Sequence, residues 1–507
     1  MNQSNDITLD KIQSFEGAYP KQIYVLFFTE MWERFTFYGM RALLILFMTT
    51  QLHFEDAKAN LTYGAYQAFV YAMPVFGGML ADRLFGQRKS IFFGGILMAA
   101  GNFILAIPGP MAMFFFYLGM SFIICGNGFF KPNISTMVGN LYKEGDDRRD
   151  AGFSLFYMGI NVGAFLGGLL CGFVGQQINW HLGFGLAGVF MLVGLFVFSK
   201  GQRMLGPIGL VPNLDRLRKR VFARQSNEGL IYLATLFCVP LFVFMLIEYK
   251  IINYVLPPFG VIALLYILWL GFREGREWGF RIIVALVLTM FSMLFWAFYE
   301  QGGGSLNLYA DRNVNMNLLG LHLSSAAVNN SINAALVIIL SPIFGWLWIF
   351  LSKKRMEPNS SVKFSLGLMQ LGLGFYMFVV GGKLAGSDGM VSLLWFALGY
   401  FFMSTGELCL SPIGLSSITK LSPGKMVGLM MGIWFLASAF GQYLAGLIGS
   451  LMAIPNDDAL GGKINPVQSL HIYSGVFEKI ALVSVGIGLL LLLLSPILKK
   501  WMHGVKG

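Results

Sequence analysis

Seven charged residues lie inside stretches of sequence that are otherwise apolar enough to cross a membrane. They are Glu30, Glu33, Arg34, Arg41, Lys131, Glu300 and Glu407. A charged side chain at the centre of a spanning helix costs about 2.5–3.5 kcal/mol, so seven that faced lipid would cost on the order of 20 kcal/mol. Because that cost exceeds the net stability of most domains, these side chains must line a wet or paired interior. Carboxylates in such surroundings can take up and release protons.

Four of these charges share one face of the first apolar stretch. The face carries Glu30, Glu33, Arg34, Tyr38 and Arg41. At 100° per residue these positions fall within an arc of about 140°, and they extend over roughly 16 Å of helix, about half the hydrocarbon core. The alternative is that the charges only satisfy one another as structural bridges, since buried ions need partners. Seven charges on four helices favour a pathway for protons or substrate.

The composition excludes a soluble globular enzyme. Of the 507 residues, 56% are hydrophobic and 12% are charged, which is about half the charge of an average soluble domain. The chain contains 62 glycines and 48 phenylalanines, a usage typical of helices that pack closely and face lipid. An integral membrane enzyme lacks support, because the histidines lie in loops or tails and no metalloprotease motif, nucleophile elbow or phosphate loop occurs. Charges of both signs inside the apolar stretches also argue against a channel, because a selective pore is lined by a ring of one sign.

Fourteen stretches are long enough to cross a bilayer, which takes about 20 residues. They are centred near residues 23–50, 61–80, 90–108, 111–138, 151–174, 182–199, 229–249, 251–272, 280–300, 325–352, 364–384, 390–417, 426–453 and 480–498. If the first tail and every second loop are inside, 27 Lys and Arg residues lie inside and 6 lie outside. This bias predicts that both termini are cytoplasmic.

The longest basic loop, Lys200 to Glu228, divides the chain. Six stretches precede it, six close the chain and two stand between, which predicts an all-α integral membrane protein with a six-plus-six bundle and an inserted helical hairpin. Paired halves of this kind recur in secondary transporters. The predicted organisation is a cytoplasmic tail (1–20), a bundle (21–200), the basic loop (201–228), the hairpin (229–273), a second bundle (274–500) and a cytoplasmic tail (501–507).

Six blocks of sequence, in order, resemble the signatures of the proton-dependent oligopeptide transporter family, a branch of the major facilitator superfamily. They are EMWERFTFYGMR (30–41), GGMLADRLFGQRK (77–89), GFFKPNIST (128–136), DAGFSLFYMGIN (150–161), FWAFYEQ (295–301) and GELCLSPIGLS (406–416). The resemblance runs from about Lys21 to Lys500, and bacterial members carry the inserted hairpin. It implies the major facilitator fold and a proton-coupled symporter of di- and tripeptides in the bacterial cytoplasmic membrane.

The resemblance also implies a role for each candidate residue. Proton coupling falls to Glu30, Glu33, Arg34 and Glu300. The gate pairs are Arg41 with Glu300 on the external side and Lys131 with Glu407 on the internal side. Substrate binding falls to Arg41 and Lys131 at the peptide carboxylate, to Glu407, Asn161 and Asn333 at its amino group, and to Tyr38, Tyr71, Trp296 and Trp434 at its side chains. No cofactor other than protons, no metal and no nucleic acid is expected, and the protein is expected to work as a monomer.

Other interpretations stay open for several of these residues. The aromatic residues Tyr71, Trp296 and Trp434 could be ordinary packing residues, and the two asparagines could be interhelical hydrogen-bond partners. The charges of the loop that holds Asp82, Arg83, Arg88 and Lys89 could be a solvated run, although the superfamily resemblance suggests a conformational latch.

Three departures from the family pattern bear on the substrate. Phe37 stands where a tyrosine is usual, the residues around Asn329 and Asn333 differ from the usual pattern, and Gly302, Gly303 and Gly304 make the turn after Glu300 flexible. These departures leave open an alternative, a proton-coupled transporter of another small anion or zwitterion.

Overall fold

The computed structural model describes residues 7–143, 145–146, 148–222, 225–423, 426–455 and 464–503. Over these ranges the chain is mostly helical. The first nine helices are α1 (Leu9–Gln13), α2 (Ile23–Thr50), α3 (Asp56–Leu80), α4 (Gln87–Leu105), α5 (Ala112–Gly139), α6 (Arg148–Phe173), α7 (Trp180–Gly201), α8 (Leu214–Arg218) and α9 (Asn227–Ile247). The others are α10 (Ile252–Arg273), α11 (Arg276–Tyr299), α12 (Ser305–Asn313), α13 (Ser325–Lys353), α14 (Ser360–Lys383), α15 (Leu393–Leu421), α16 (Val427–Ser450) and α17 (Pro466–Trp501).

Short irregular segments and strands connect these helices. Tighter or wider helical turns occur at Ala81–Phe85, Val174–Ile178, Gln202–Leu205, Tyr249–Ile251 and Glu300–Gly303. The strands are β1 (Arg220–Phe222), β2 (Gln225–Ser226), β3 (Val314–Asn315), β4 (Asn317–Leu318), β5 (Leu321–His322) and β6 (Val391–Ser392). Strands β1 and β2 pair antiparallel, as do β4 and β5, while β3 pairs parallel with β6.

Within the described ranges, each of the fourteen predicted spans coincides with a helix. Among the described residues, twelve helical segments are long and apolar enough to cross a membrane. The other two predicted spans, 23–50 and 90–108, correspond to α2, which has 28 residues and carries four of the charges, and to α4, which has 19 residues. The prediction of an all-α multi-pass membrane protein is therefore confirmed. Helix α12 was not predicted, because its residues read as a polar loop.

Capping residues start several helices ahead of their apolar stretches. The Asn465 side chain accepts from the backbone N–H groups of Val467 and Gln468, and Pro466 occupies the first turn, so α17 begins 14 residues before the predicted span at 480. Asn359 caps α14 in the same way. The apolar run thus predicts where a helix crosses the membrane, whereas the cap decides where the helix begins.

Large apolar side chains cover the outer faces of the helices. Phe237 on α9 and Tyr254 on α10 are 81% and 80% exposed. Exposed apolar area on this scale would be costly in water, and it fits a surface that faces lipid chains.

The chain divides into two compact units. The N-terminal unit comprises residues 1–43 and 69–247, and the C-terminal unit comprises residues 44–68 and 248–507. The C-terminal unit thus includes the end of α2 and the first half of α3, and the two helices of the predicted hairpin, α9 and α10, belong to different units. The six-part organisation predicted from sequence stays a prediction. Its two tails include residues 1–6 and 504–507, which lie outside the described residues.

Small residues let the helices that carry the charges pack closely. In the N-terminal unit, Gly163 and Gly167 of α6 lie against the backbone of α2 at Met31 and Phe35, with no room for a Cβ. In the C-terminal unit, a Cβ on Gly406 of α15 would lie 2.7 Å from the carbonyl oxygen of Gly367 of α14. These contacts fix the backbones beside Arg34 and Glu407.

Candidate functional site

A buried cluster of two acids and one base lies on α2 in the N-terminal unit. The exposed fractions of Glu30, Glu33 and Arg34 are 3%, 0% and 3%. Arg34 Nε lies 2.9 Å from Glu30 Oε1 and also pairs with Glu33 Oε2. The spacing of three and four residues brings the three side chains together on one turn of the helix. The prediction that they share one face is therefore correct.

A second cation, Lys131 of α5, lies within electrostatic range of the same two carboxylates. Lys131 Nζ also lies 4.1 Å from the ring centroid of Tyr71, a cation–π geometry. The N-terminal unit therefore brings together two acids and two bases. Tyr71 contacts a charged residue of this group, so its ring has an electrostatic interaction in addition to packing.

Two cation–ring contacts lie along α2. The guanidinium carbon of Arg41 lies 5.7 Å from the ring centroid of Tyr38. The guanidinium carbon of Arg34 lies 5.4 Å from the ring centroid of Phe37, which is 2% exposed. Phe37 thus packs against the charged cluster, and its ring takes a place where a hydroxyl would need its own hydrogen-bond partner.

Asn161 of α6 was predicted to bind substrate or to join two helices. Its Nδ2 donates to the carbonyl oxygen of Tyr157, 2.9 Å away and one turn earlier on the same helix. The side chain is 8% exposed. This bond satisfies one donor within α6, and the substrate role stays a prediction.

Glu407 of α15 accepts hydrogen bonds from neutral groups of the C-terminal unit. The Tyr299 hydroxyl of α11 donates to Glu407 Oε2. Asn333 Nδ2 of α13 lies 3.3 Å from the same oxygen and 2.9 Å from Ser404 Oγ. The structure therefore brings Glu407 and Asn333 together, as predicted. Tyr299 and Ser404 were missed, since a tyrosine 108 positions away carries no local signal of this contact.

The other predicted residues of the C-terminal unit are buried or half-buried. Glu300 is 3% exposed and begins the turn Glu300–Gly303 between α11 and α12. Trp296 stands edge-on to Tyr299, with ring centroids 5.2 Å apart, so it borders the Glu407 group. Trp434 is 7% exposed and packs on Gly414, with no room for a Cβ there. That contact supports a packing role for Trp434.

An ion pair that sequence reasoning missed lies within the C-terminal unit. Arg312 of α12 donates through Nη1 and Nη2 to the two carboxylate oxygens of Asp56 of α3, at 2.6 and 2.8 Å. The backbone N–H of Ile454 donates to Asp56 Oδ2 at 3.2 Å, and Arg312 Nη1 lies 3.3 Å from the Tyr473 hydroxyl. The sequence placed both residues in loops, because α12 was not predicted and α3 begins at Asp56, before its predicted span.

The basic loop is tied to α4 within the N-terminal unit. Arg88 donates to the carbonyl oxygens of Gly206 and Ile208, and Lys89 pairs with Glu228. Asp82 and Arg83 are exposed. Arg88 and Lys89 thus hold the loop, whereas Asp82 and Arg83 fit the solvated interpretation. The predicted pairings of Arg41 with Glu300 and of Lys131 with Glu407 stay predictions.

Buried ion pairs and a hydrogen-bonded carboxylate on helices with apolar outer faces are typical of a helical membrane transporter. The chain matches the model of the POT family over residues 88–222 and 276–465. It is 35% identical over 455 residues to the peptide transporter YePEPT of Yersinia enterocolitica, with 85% of this chain and 88% of that protein covered. The chain belongs to the POT family and is a transporter, not an enzyme.

Two further similarities extend over almost the whole chain. The chain is 37% identical over 497 residues, covering 96% of each protein, to the uncharacterized transporter YclF of Bacillus subtilis. A crystal structure of peptide transporter POT in complex with sulfate is similar with a TM-score of 0.82 and 36% identity, covering 98% of this chain and 100% of that chain. The predicted family and fold are therefore confirmed.

Proposed function

We propose that the protein is a proton-coupled symporter that imports di- and tripeptides by alternating access. The observation that carries the proposal is the balanced group of Glu30, Glu33, Arg34 and Lys131, in which two acids face two bases. When an anionic group of a substrate binds Lys131, the carboxylates are left with an excess negative charge, which one proton neutralises. Proton and substrate then favour each other's binding, which is a coupling free energy.

Each end of a zwitterionic peptide requires a group of opposite charge. We propose that Arg41 and Lys131 bind the carboxylate and that Glu407 binds the ammonium. Charge-assisted hydrogen bonds of this kind are about twice as strong as neutral ones. The further substrate contacts carried over from the family are Asn161, Asn333, Tyr38, Tyr71, Trp296 and Trp434. Of the aromatic residues, Tyr71 and Trp296 have the stronger support, because they border charged groups.

The peptide class is supported by the relatives named as peptide transporters. The alternative of another small anion or zwitterion depended on Phe37 and on the Asn329 region. Phe37 packs beside Arg34, and Asn329 is hydrogen-bonded to Gly302 and Tyr400. Both departures thus have intramolecular contacts, and the alternative substrate stays a competing prediction.

A second proton site at Glu300 completes the proposed cycle. Its protonation would release Arg41 to the substrate carboxylate before the inward movement. A proton that moves through about 100 mV contributes roughly 2.3 kcal/mol, which sustains about a fiftyfold concentration ratio. We place the protein in the bacterial cytoplasmic membrane with both termini in the cytoplasm, acting as a monomer without a cofactor.

The test compares two kinds of transport in proteoliposomes. Glu33→Gln and Glu300→Gln should each abolish uptake driven by a proton gradient and should retain exchange of labelled for unlabelled peptide, since exchange requires no net proton movement. Glu16→Gln, at an exposed carboxylate, is the matched control and should behave like the unchanged protein. Gradient-driven uptake that persists in both site variants would contradict the assignment.

A further inference from the structure

A buried amide holds the turn that carries Glu300. Asn329 of α13 is 2% exposed, and its Nδ2 donates to the carbonyl oxygen of Gly302 at 2.7 Å. The hydroxyl of Tyr400 on α15, which is 3% exposed, donates to Asn329 Oδ1 at 2.6 Å. The tyrosine thus fixes which way the amide faces, because only its oxygen side can accept from the hydroxyl. The amide in turn determines the position of Gly302.

The turn needs such support because of its sequence. Gly302, Gly303 and Gly304 follow one another, and glycines lose more conformational freedom on folding than other residues. A Cβ on Gly302 would lie 3.2 Å from the Tyr400 hydroxyl, so the close approach favours glycine. On the other side of the turn, Gln301 Nε2 donates to the carbonyl oxygens of Ala297 and Ala445, both at 3.0 Å. The peptide next to Glu300 is therefore held from both sides.

The same two helices carry the hydrogen bonds of Glu407. Asn333 lies one turn after Asn329 on α13, and Ser404 and Glu407 lie about one and two turns after Tyr400 on α15. Asn333 donates to Ser404 at 2.9 Å and to Glu407 at 3.3 Å. Two successive polar bridges therefore join α13 to α15, one at the Glu300 turn and the next at Glu407.

We infer that Asn329 and Tyr400 are positioning residues for proton coupling, which link the Glu300 turn to the helices that hold Glu407. The inference depends on the proposed function, in which Glu300 carries a proton and Glu407 binds the amino group. A proton that changes the charge of Glu300 changes the forces on its turn. The hydrogen bond that Asn329 donates to Gly302 passes a movement of the turn to α13 and α15, whose next bridge includes Glu407. Without the bridge, the proton still binds, but its effect on Glu407 is weakened.

The test variant is Tyr400→Phe, which removes one hydroxyl and keeps the ring. A hydrogen bond of this kind contributes about 1 kcal/mol, so gradient-driven uptake of dialanine should fall about fivefold. Exchange of labelled for unlabelled dialanine should stay within about twofold of the unchanged protein, and the pH midpoint of uptake should shift. Asn329→Ala removes the other partner of the same hydrogen bond. It should likewise lower gradient-driven uptake and leave exchange within about twofold of the unchanged protein.

The matched control is Tyr443→Phe, which removes the hydroxyl that donates to Asn253, at a tyrosine that is 5% exposed. It should change neither the pH midpoint nor the ratio of the two assays. Glu300→Gln abolishes gradient-driven uptake, so the double variant is compared in exchange: Glu300→Gln combined with Tyr400→Phe should show the same pH dependence of exchange as Glu300→Gln alone. A structural role alone would lower uptake and exchange together in both bridge variants, and that result would overturn the inference.

The same assays separate the inference from the proposed function. If the unchanged protein shows no gradient-driven uptake, or Glu300→Gln keeps it, the proposed function fails. If these two behave as proposed while both bridge variants keep the ordinary pH midpoint and assay ratio, the inference alone is wrong.

Discussion

In the N-terminal unit, the carboxylates of Glu30 and Glu33 are held by a guanidinium on their own helix, whereas in the C-terminal unit Glu407 is held by neutral donors from two other helices. Arg34 provides the guanidinium within one helical turn. The donors to Glu407 are the hydroxyl of Tyr299 and the amide of Asn333. The first arrangement is ionic and local, and the second is neutral and depends on tertiary packing.

The two arrangements suit different tasks. Arg34 together with Lys131 balances the charge of the two carboxylates, so the gain of one proton changes the net charge of a fixed group. Neutral donors orient a carboxylate without cancelling its charge, which suits an acid that has to bind a cationic substrate group. The difference therefore agrees with proton coupling in the N-terminal unit and amine recognition in the C-terminal unit.

Removal of the Arg34 guanidinium removes the ionic arrangement and should have the largest effect on stability and transport. Arg34→Ala leaves two buried acids without their shared partner, and breaking a buried ion pair costs about 3–5 kcal/mol. We expect loss of both uptake and exchange and a strongly lowered unfolding temperature. Arg34→Lys, which keeps one positive charge, should recover part of the stability. Thermal unfolding of Arg34→Ala that matches the unchanged protein would contradict the account.

The Asp56–Arg312 pair tests whether a buried ion pair stabilises the C-terminal unit. Arg312→Gln should lower stability by about 3 kcal/mol, because Asp56 keeps only part of its hydrogen bonding. Asp56→Asn combined with Arg312→Gln should recover part of that loss, since no unpaired charge remains. Thermal unfolding of both single variants and the double variant gives the coupling energy. Additive effects would show that the two side chains do not act as a pair.

Substitution of Glu407, the acid with neutral donors, should lower the affinity for dialanine without lowering the stability of the protein. Glu407→Gln keeps an oxygen that accepts from Tyr299 and Asn333 but loses the charge. Loss of a charged hydrogen bond costs about 2 kcal/mol, so competition by dialanine should weaken about thirtyfold. N-acetylated dialanine, which lacks the ammonium, should compete equally with the variant and the unchanged protein. Equal weakening for both compounds would contradict amine recognition by Glu407.

The local cluster could be predicted from sequence because its spacing is the period of a helix. Glu33 and Arg34 stand three and four positions after Glu30, so the one assumption of a helix brings them together. The membrane spans could be predicted for a similar reason, since length and apolarity act within each segment. The family resemblance added the roles of Glu300 and Glu407, which no local pattern reveals.

The tertiary contacts could not be predicted in this way. Tyr299 meets Glu407 only because α11 and α15 pack together, and Arg312 meets Asp56 only because α12 forms after the Glu300 turn. Asn329 was noted as a departure from the family, and the structure gives it a partner in Tyr400. The departure at Asn329 and the glycines of the turn explain each other, since the amide supports the turn that the glycines loosen.

The most direct test of proton-coupled peptide transport is the uptake of labelled dialanine into proteoliposomes with an inward proton gradient and a negative interior, with and without a protonophore. Proton-coupled symport predicts accumulation above the external concentration that the protonophore abolishes. Folded protein that binds dialanine yet only equilibrates it, with the protonophore making no difference, would contradict proton-coupled peptide transport.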